Sequence, residues 1–562
     1  MSTASKHKPK VDRNVPTPPE TLKLEKDNTY LTIKTKYAAF KRSFANKYVN
    51  AIIFAVLILM AGIAGYRSIN YVSERQPGTD SGVFCGVAMH LLEGKLIYRD
   101  VWDHKQPMIY FLDAIALSLG GRSIDSVRNM ERVFGFCGAI LLFLILFLIF
   151  GNKWLAFLMS IFFTLSFYMH AFQQGNLTEE YGAFFVLFGV FFAVLSQQSE
   201  AKKSVAFAAM SGTSFAIAFF IKEPFLLSAI PWFLYILIKK QQSRRQRLTR
   251  NGFFVIGAII PLALILIYLI ANGVLKDWIE VIVYNLHYSG MGQKTTPIIT
   301  RVRENMVYMQ KYIFNTSMTA MFCFNAGIVS IFCFSFQKKY KYFPLIAVIA
   351  FIAEYFATII APRKYGHYYM QPIVSYILTG GCGVALLLYL FENAKAWKPG
   401  VIIGLLLSFF VLDSYTCKYY IERLKKPSVQ ANIDPIAYYI RKNTSEDDCI
   451  WINSAHLSRY YLETGRLSPT KFSYPLPRFF KDSLYSTAEE KIALLKRDLQ
   501  NKPPKFIVSE YVFMDFMTQN NITEWINNNY VKVASSGTKS SERDTRIELY
   551  LHRSYTNDKQ AN

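Results

Sequence analysis

Five short stretches of this chain concentrate side chains that can move a proton or hold an anion. QPGTDSGVF carries Asp80, and YRDVWDHKQP carries Asp100, Asp103, His104 and Lys105. GNLTEEYG contributes Glu179 and Glu180, FIKEPF contributes Lys222 and Glu223, and PRKYGHYY contributes Arg363, Lys364 and His367. Four of the five have an ordinary explanation. Asp80 opens a helix-like stretch closed by Gly94, where an acid serves as N-cap. YRDVWDHKQP reads as a charged interfacial turn, Glu179 and Glu180 as acids favoured by a helix dipole, and Lys222 with Glu223 as a local pair before Pro224. The functional explanation is that all five lie at the ends of apolar runs, where ionisable groups mark catalysis or transport. Asp100, Asp103 and His104 are crowded together and lack the spaced His or Cys ligands of a strong metal site. A divalent metal is therefore the weaker option, and no cofactor is expected.

The elements that must position these residues are membrane helices. Of the 562 residues, 52% are hydrophobic and only 18% charged, against about 25% charged in an ordinary soluble protein. Disorder, a collagen repeat and a disulfide scaffold are excluded, since apolar residues abound and the seven cysteines are scattered. The net charge of +24 would suit nucleic acid, but in so apolar a chain it marks cytoplasmic loops facing anionic lipids. No nucleic-acid partner is expected.

A crossing needs roughly 20 apolar residues. The predicted fold is mainly α: a polytopic membrane protein with about 11 transmembrane helices and a small C-terminal α/β domain. The N-terminal tail has eleven basic and four acidic residues, and the loop 239–250 has six basic residues and no acid, so both are placed in the cytoplasm. That parity makes 107–120 an interfacial helix rather than a crossing and leaves the C-terminus outside, with Arg122, Arg128 and Arg132 counting against the arrangement. The predicted organisation is a basic cytoplasmic tail (1–48), a transmembrane catalytic region (49–424) with outer loops 67–132 and 273–315, and an extracytoplasmic α/β domain (425–562). CIWIN (449–453) and KFIVSEY (505–511) read as strands around the helical STAEEKIALLKRDL. Segment 273–315 reads as a solvated loop that partly orders over bound ligand. Cys85 and Cys449 fall outside, and a bond between them is not expected.

In order along the chain, EGKLIYRDVWDHKQPMIYF, GNLTEEYGAFF, FFIKEPF and PRKYGHYYMQP resemble bacterial membrane glycosyltransferases of the C superfamily, related to protein O-mannosyltransferases and to the lipid A aminoarabinose transferase. The Tyr-x-Asp…Lys-x-Pro block at 98–107 is the most specific element. RYYLETGR and NKPPKFIVSEY extend the likeness into the C-terminal domain.

The resemblance implies transfer of a sugar from a polyprenyl-phosphate donor to an extracytoplasmic glycan, lipid or protein, generally with inversion, in the plasma (inner) membrane. Partners are then the lipid-linked sugar, the acceptor and membrane lipids; oligomeric state is not legible. The family's early acid maps onto Asp80 as general base, although relatives often have Asp-Glu where this chain has Asp80-Ser81. Lys105 matches the lysine that meets the donor phosphate, with Arg363, Lys364, His367 and Lys222 as further cations, and Glu179, Glu180, Asp100, Asp103 and His104 as substrate-binding candidates. Such roles suit the residue types. An attacking hydroxyl must lose a proton to a placed carboxylate, and a departing phosphate needs cations. The competing reading is a transporter or flippase of lipid-linked sugars. The chain has no internal repeat of the kind transporters show, and its charges gather at one face.

Overall fold

The computed structural model describes residues 47–69, 78–167, 175–238, 243–290, 297–334, 342–360, 365–391, 397–425, 434–511, 514–536 and 546–556. The chain divides into an N-terminal unit, 1–57, and a main unit, 58–562. Helix α1 is Lys47–Ser68. It is followed by α2 (Thr79–Leu92), α3 (Pro107–Gly120), α4 (Ile124–Phe150), α5 (Lys153–Phe167), α6 (Thr178–Gln198), α7 (Ala201–Ile221), α8 (Leu226–Leu237) and α9 (Arg244–Ala271). Then come α10 (Leu275–Gly290), α11 (Ile298–Tyr312), α12 (Met318–Phe334), α13 (Phe343–Ile360), α14 (Ile373–Leu390), α15 (Trp397–Leu412) and α16 (Ser414–Lys425).

Six helices among the described residues are long and apolar enough to cross a bilayer: α1, α4, α6, α7, α9 and the 25-residue run Gly366–Leu390 that contains α14. Six shorter apolar helices accompany them, including α3 with its 14 residues. At 1.5 Å per residue α3 is about 21 Å long, short of the roughly 30 Å hydrocarbon core. The apolar run that contains α15 is interrupted at Asp413, whose carboxylate accepts from Ser317 Oγ (2.9 Å) and from the amides of Met318 and Thr319 at the start of α12. Helices pack closely where side chains are small. A Cβ on Gly257 of α9 would fall 1.9 Å from the carbonyl oxygen of Ala209 on α7.

Two of the arginines that counted against the topology are neutralised locally, and the third is hydrogen-bonded to a neutral amide. Arg122 pairs with Glu93, Arg128 with Glu131 at 3.3 Å, and Arg132 donates to Asn129 at 2.6 Å.

Segment 273–315 is not a loop: it forms α10 and α11, with 291–296 outside the described residues. Both helices are amphipathic, and α10 is fastened through Asp277 to Lys471 (3.0 Å) and through Glu280 to Lys491 (3.4 Å).

The C-terminal region adds α17 (Pro435–Lys442), α18 (Arg459–Thr464), α19 (Ala488–Asn501), α20 (Met514–Gln519) and α21 (Ile522–Asn529). Its sheet comprises β1 (Ile450–Ile452), β2 (Phe506–Glu510), β3 (Tyr530–Ser536) and β4 (Ile547–His552), in the order β1-β2-β4-β3. β1 and β2 are parallel, joined by a crossover that includes α19, and the β2–β4 and β3–β4 pairs are antiparallel. The two expected strands and the helix between them are all present. One hydrophobic core runs from this sheet (Ile450, Ile507, Leu549) into α2 and α3 (Phe84, Ile109) and the ends of α7 and α9 (Phe220, Leu269). Cys85 and Cys449 are both free and buried.

Candidate functional site

α2 is held as a rigid strut. Gly82 and Gly86 bring it against α18, so a Cβ on Gly82 would meet the Arg459 amide nitrogen at 2.8 Å. His90 donates from Nδ1 to the Gly86 carbonyl (2.7 Å), and its Nε2 accepts from the Ser468 amide (3.1 Å). The N-cap of α2 is Gly78, not Asp80. Asp80 lies in the first turn, half-buried, with no hydrogen-bond partner among the described residues.

The turn between α2 and α3 explains the Tyr-x-Asp…Lys-x-Pro spacing. Gly94 and Tyr98 take positive φ, +74° and +70°, reversing the chain. Asp100 accepts from the Leu96 amide (2.9 Å), and Pro107 starts α3. The Tyr98 hydroxyl donates to the Lys105 carbonyl (2.8 Å), while the Lys105 amide donates to the Tyr110 hydroxyl (3.2 Å). Asp103 accepts from Tyr110, from Tyr474 of the C-terminal region and from His104 Nδ1 (3.0 Å). Burial opposes ionisation of Asp103, but His104 and the two tyrosine hydroxyls outweigh it and hold the carboxyl well below the usual range. Burial, with Lys105 alongside, holds His104 below its ordinary value.

The backbone of Lys105 is thus fixed on both sides, whereas its ammonium has no hydrogen-bond partner among the described residues. Burial alone would push this lysine down. Tyr368, Asp80, Asp103 and Glu179 around it reverse that and keep it a cation. Glu179 at the start of α6 pairs with Lys222 at the end of α7, accepts from Thr178 Oγ1 (2.8 Å) and lies 3.9 Å from His367 Nε2. Lys222 sits 4.0 Å above the Tyr368 ring. Burial pushes Lys222 below its ordinary value, and Glu179 only partly offsets this.

Residues far apart in sequence therefore meet at one end of the bundle: Asp80, Lys105, Glu179, Lys222 and His367. The other candidates have different surroundings. Asp100 pairs with Arg99 at 2.9 Å in its own turn, and Asp103 and His104 brace that turn. Glu180 accepts from the Leu177 amide (3.0 Å) as a helix-start acid and belongs to a second buried network with Glu131 and Arg128. Lys222 takes Glu179 rather than Glu223, and Glu223 instead accepts from Gln106 and Asn285, each at 2.7 Å. Arg363 and Lys364 lie outside the described residues. Sequence reasoning missed Tyr368, Tyr474 and Asn285. The motif reading stopped at His367 beside Tyr368, and nothing local marks Tyr474 or Asn285. No group of three His, Cys, Asp or Glu side chains placed to hold a metal occurs among the described residues.

A bundle of apolar helices, with clustered cations and carboxylates at one end and a small α/β domain beside it, has the architecture of membrane glycosyltransferases of the C superfamily. Residues 104–274, which include Lys105, Glu179 and Lys222, match the family model for dolichyl-phosphate-mannose-protein mannosyltransferase. The fold is similar to that of ArnT from Cupriavidus metallidurans. The crystal structure bound to undecaprenyl phosphate superposes with a TM-score of 0.53 at 10% identity, covering 89% of this chain and 97% of that one. The apo structure gives 0.51 at 12% identity, covering 90% and 98%. No curated protein sequence matches the chain. The resemblance carried by the sequence motifs, to the C superfamily and its mannosyltransferase and aminoarabinose transferase branches, is borne out by the family match and the fold together.

Proposed function

We propose that this protein transfers a sugar from a polyprenyl-phosphate donor to an extracytoplasmic glycan, lipid or protein, with inversion at the anomeric carbon. The observation that carries the proposal is Lys105: a half-buried ammonium whose backbone is locked on both sides, without a hydrogen-bonding partner among the described residues and with Asp80 among the carboxylates around it. A partly desolvated cation with no hydrogen-bonded partner is a ready counter-charge for an anion. The phosphate of a lipid-linked sugar is such an anion.

In this reading the acceptor hydroxyl oxygen attacks the anomeric carbon as the bond from that carbon to the phosphate oxygen breaks. Asp80 takes the hydroxyl proton, and the departing electron pair stays on the lipid phosphate, where Lys105 stabilises it. Lys222, His367, Arg363 and Lys364 assist that charge. Glu179 orients Lys222 and faces the sugar or acceptor, while Asp103 and His104 position Lys105. Asp100 and Glu180 shape the neighbouring turn and helix start. The reading invokes no cofactor, because the lipid-linked sugar is a substrate. It places the protein in the plasma membrane with its N-terminus cytoplasmic and its α/β domain outside.

Reconstitution with a panel of polyprenyl-phosphate hexoses and pentoses, followed by mass measurement of lipids and glycans, tests it. The expected result is release of polyprenyl phosphate with a matching mass gain in an acceptor. Movement of an intact donor across the bilayer without that mass gain would instead indicate a flippase.

A further inference from the structure

At the end of the bundle away from the candidate site, α9 begins with a group of arginines that no acid among the described residues neutralises. Arg250 is 1% exposed, and its Nε and Nη2 are buried without a hydrogen-bond partner. Its remaining contact is a 3.4 Å donation from Nη1 to Gln197 Oε1 at the end of α6. One turn back, Arg247 also has a buried, unpartnered Nε, and its positive charge acts on Arg250. Neither arginine forms an ion pair among the described residues. Asn251, next along the helix, donates to the Phe233 carbonyl (3.2 Å) at the end of α8 and leaves its own Oδ1 unpartnered.

Two guanidinium groups one helical turn apart repel, and taking even one, here Arg250, from water is expensive without a counter-charge. The planar donor fork of arginine suits an oxyanion, above all a phosphate. The position sets the source of that phosphate. α6, 21 residues and about 30 Å long, carries Glu179 in its first turn at the candidate site and Gln197 in its last turn here, so it spans about the thickness of a bilayer core. Beyond Arg250, α9 exposes Phe253, Ile256, Ile259 and Ile260, an apolar surface on which acyl chains can lie. The preceding Lys239, Lys240, Arg244 and Arg245 add basic charge with no acid among them.

We propose that Arg247 and Arg250 form a phosphate site, separate from the sugar-transfer site, that takes the headgroup of an anionic phospholipid from the opposite leaflet. Basic pockets between membrane helices at a bilayer surface bind such headgroups. The bound headgroup supplies the counter-charge that the ends of α6, α8 and α9 do not.

The test uses the full chain, purified in a neutral detergent, with its unfolding followed as lipid is added. Phosphatidylglycerol is expected to raise the melting temperature, with phosphatidylcholine and inorganic phosphate far less effective. In Arg250→Gln the half-saturating lipid concentration is expected to rise at least about tenfold, the loss of one charge-assisted pair. Arg250→Lys, which keeps the charge but not the fork, should fall between the two. If Arg250→Gln does not fold, Arg247→Gln is read in its place, and native mass spectrometry counts the phosphatidylglycerol retained by the unaltered protein. A response equal with inorganic phosphate, a response that survives in the Gln variants, or no retained phosphatidylglycerol would each overturn the proposal.

Discussion

Replacing Asp80 by Asn separates a helix-start role from a proton-accepting one, and the structure sets both magnitudes. Gly78, not Asp80, caps α2, and the Asp80 side chain makes no hydrogen bond among the described residues. The folded state loses only a carboxylate near a helix N-terminus, worth about 0.3–1 kcal/mol. The reaction loses the group that receives the acceptor's proton, which general-base catalysis puts at about 10²–10⁴-fold, or about 2.7–5.5 kcal/mol of barrier at 1.36 kcal/mol per tenfold. Asp80 is also one of the anions around Lys105, so neutralising it leaves the lysine no less available to a phosphate. The KM for the donor is therefore expected to stay level or fall while kcat drops. The assay is steady-state turnover of purified Asp80→Asn in lipid nanodiscs, with thermal unfolding measured alongside. Turnover within a few-fold of the parent, in a variant that melts at the parent's temperature, would refute Asp80 as the base and move the role to Glu179, the other carboxylate of the cluster.

Lys105→Met is expected to raise the donor KM and lower kcat together, because the phosphate it holds carries charge both when bound and when leaving; an unchanged dependence of rate on donor concentration removes Lys105 from the site. Glu179→Gln leaves Lys222 buried and unpaired and should cost about 3–5 kcal/mol of stability, whereas adding Lys222→Met should recover most of it; additive losses on melting would show that the two do not act as a pair. Tyr474→Phe removes a hydrogen bond to a buried carboxylate, about 1.5–3 kcal/mol, and should loosen the C-terminal region from the turn holding Lys105, which limited proteolysis reads directly. Because Asp103 is held below the ordinary carboxylate value, its contribution to stability is present above about pH 4 and is lost as the pH falls further. A melting profile from pH 7 to 3 should therefore fall more steeply for the parent than for Tyr474→Phe, and parallel profiles would show that Tyr474 has no part in holding Asp103 ionised.

Much of this molecule is written locally. Apolar runs announced the helices, Gly94 and Pro107 bounded the turn that carries Lys105, and alternation of strand and helix patterns announced β1, α19 and β2. Such features depend on residues a few positions apart, which propensity and periodicity can express. What the sequence left open is what depends on direction and on distant partners. Glu179 and Glu180 are indistinguishable as neighbours, yet one step along a helix turns a side chain by about 100°. That rotation sends Glu179 to Lys222 and Glu180 to the Leu177 amide. Segment 273–315 was polar enough to pass for a loop, because the partners that hold α10, Lys471 and Lys491, lie far along the chain. Asp103 looked like a ligand for substrate until Tyr474, 371 residues away, was found to occupy it. The tertiary structure alone decides which of the many charged groups are spent on one another and which, like the half-buried Lys105 ammonium and the buried Arg250 guanidinium, are left without a charged partner bonded to them among the described residues. A buried charge must be paired, and its partner comes from whichever element the fold brings within reach, at any distance along the chain.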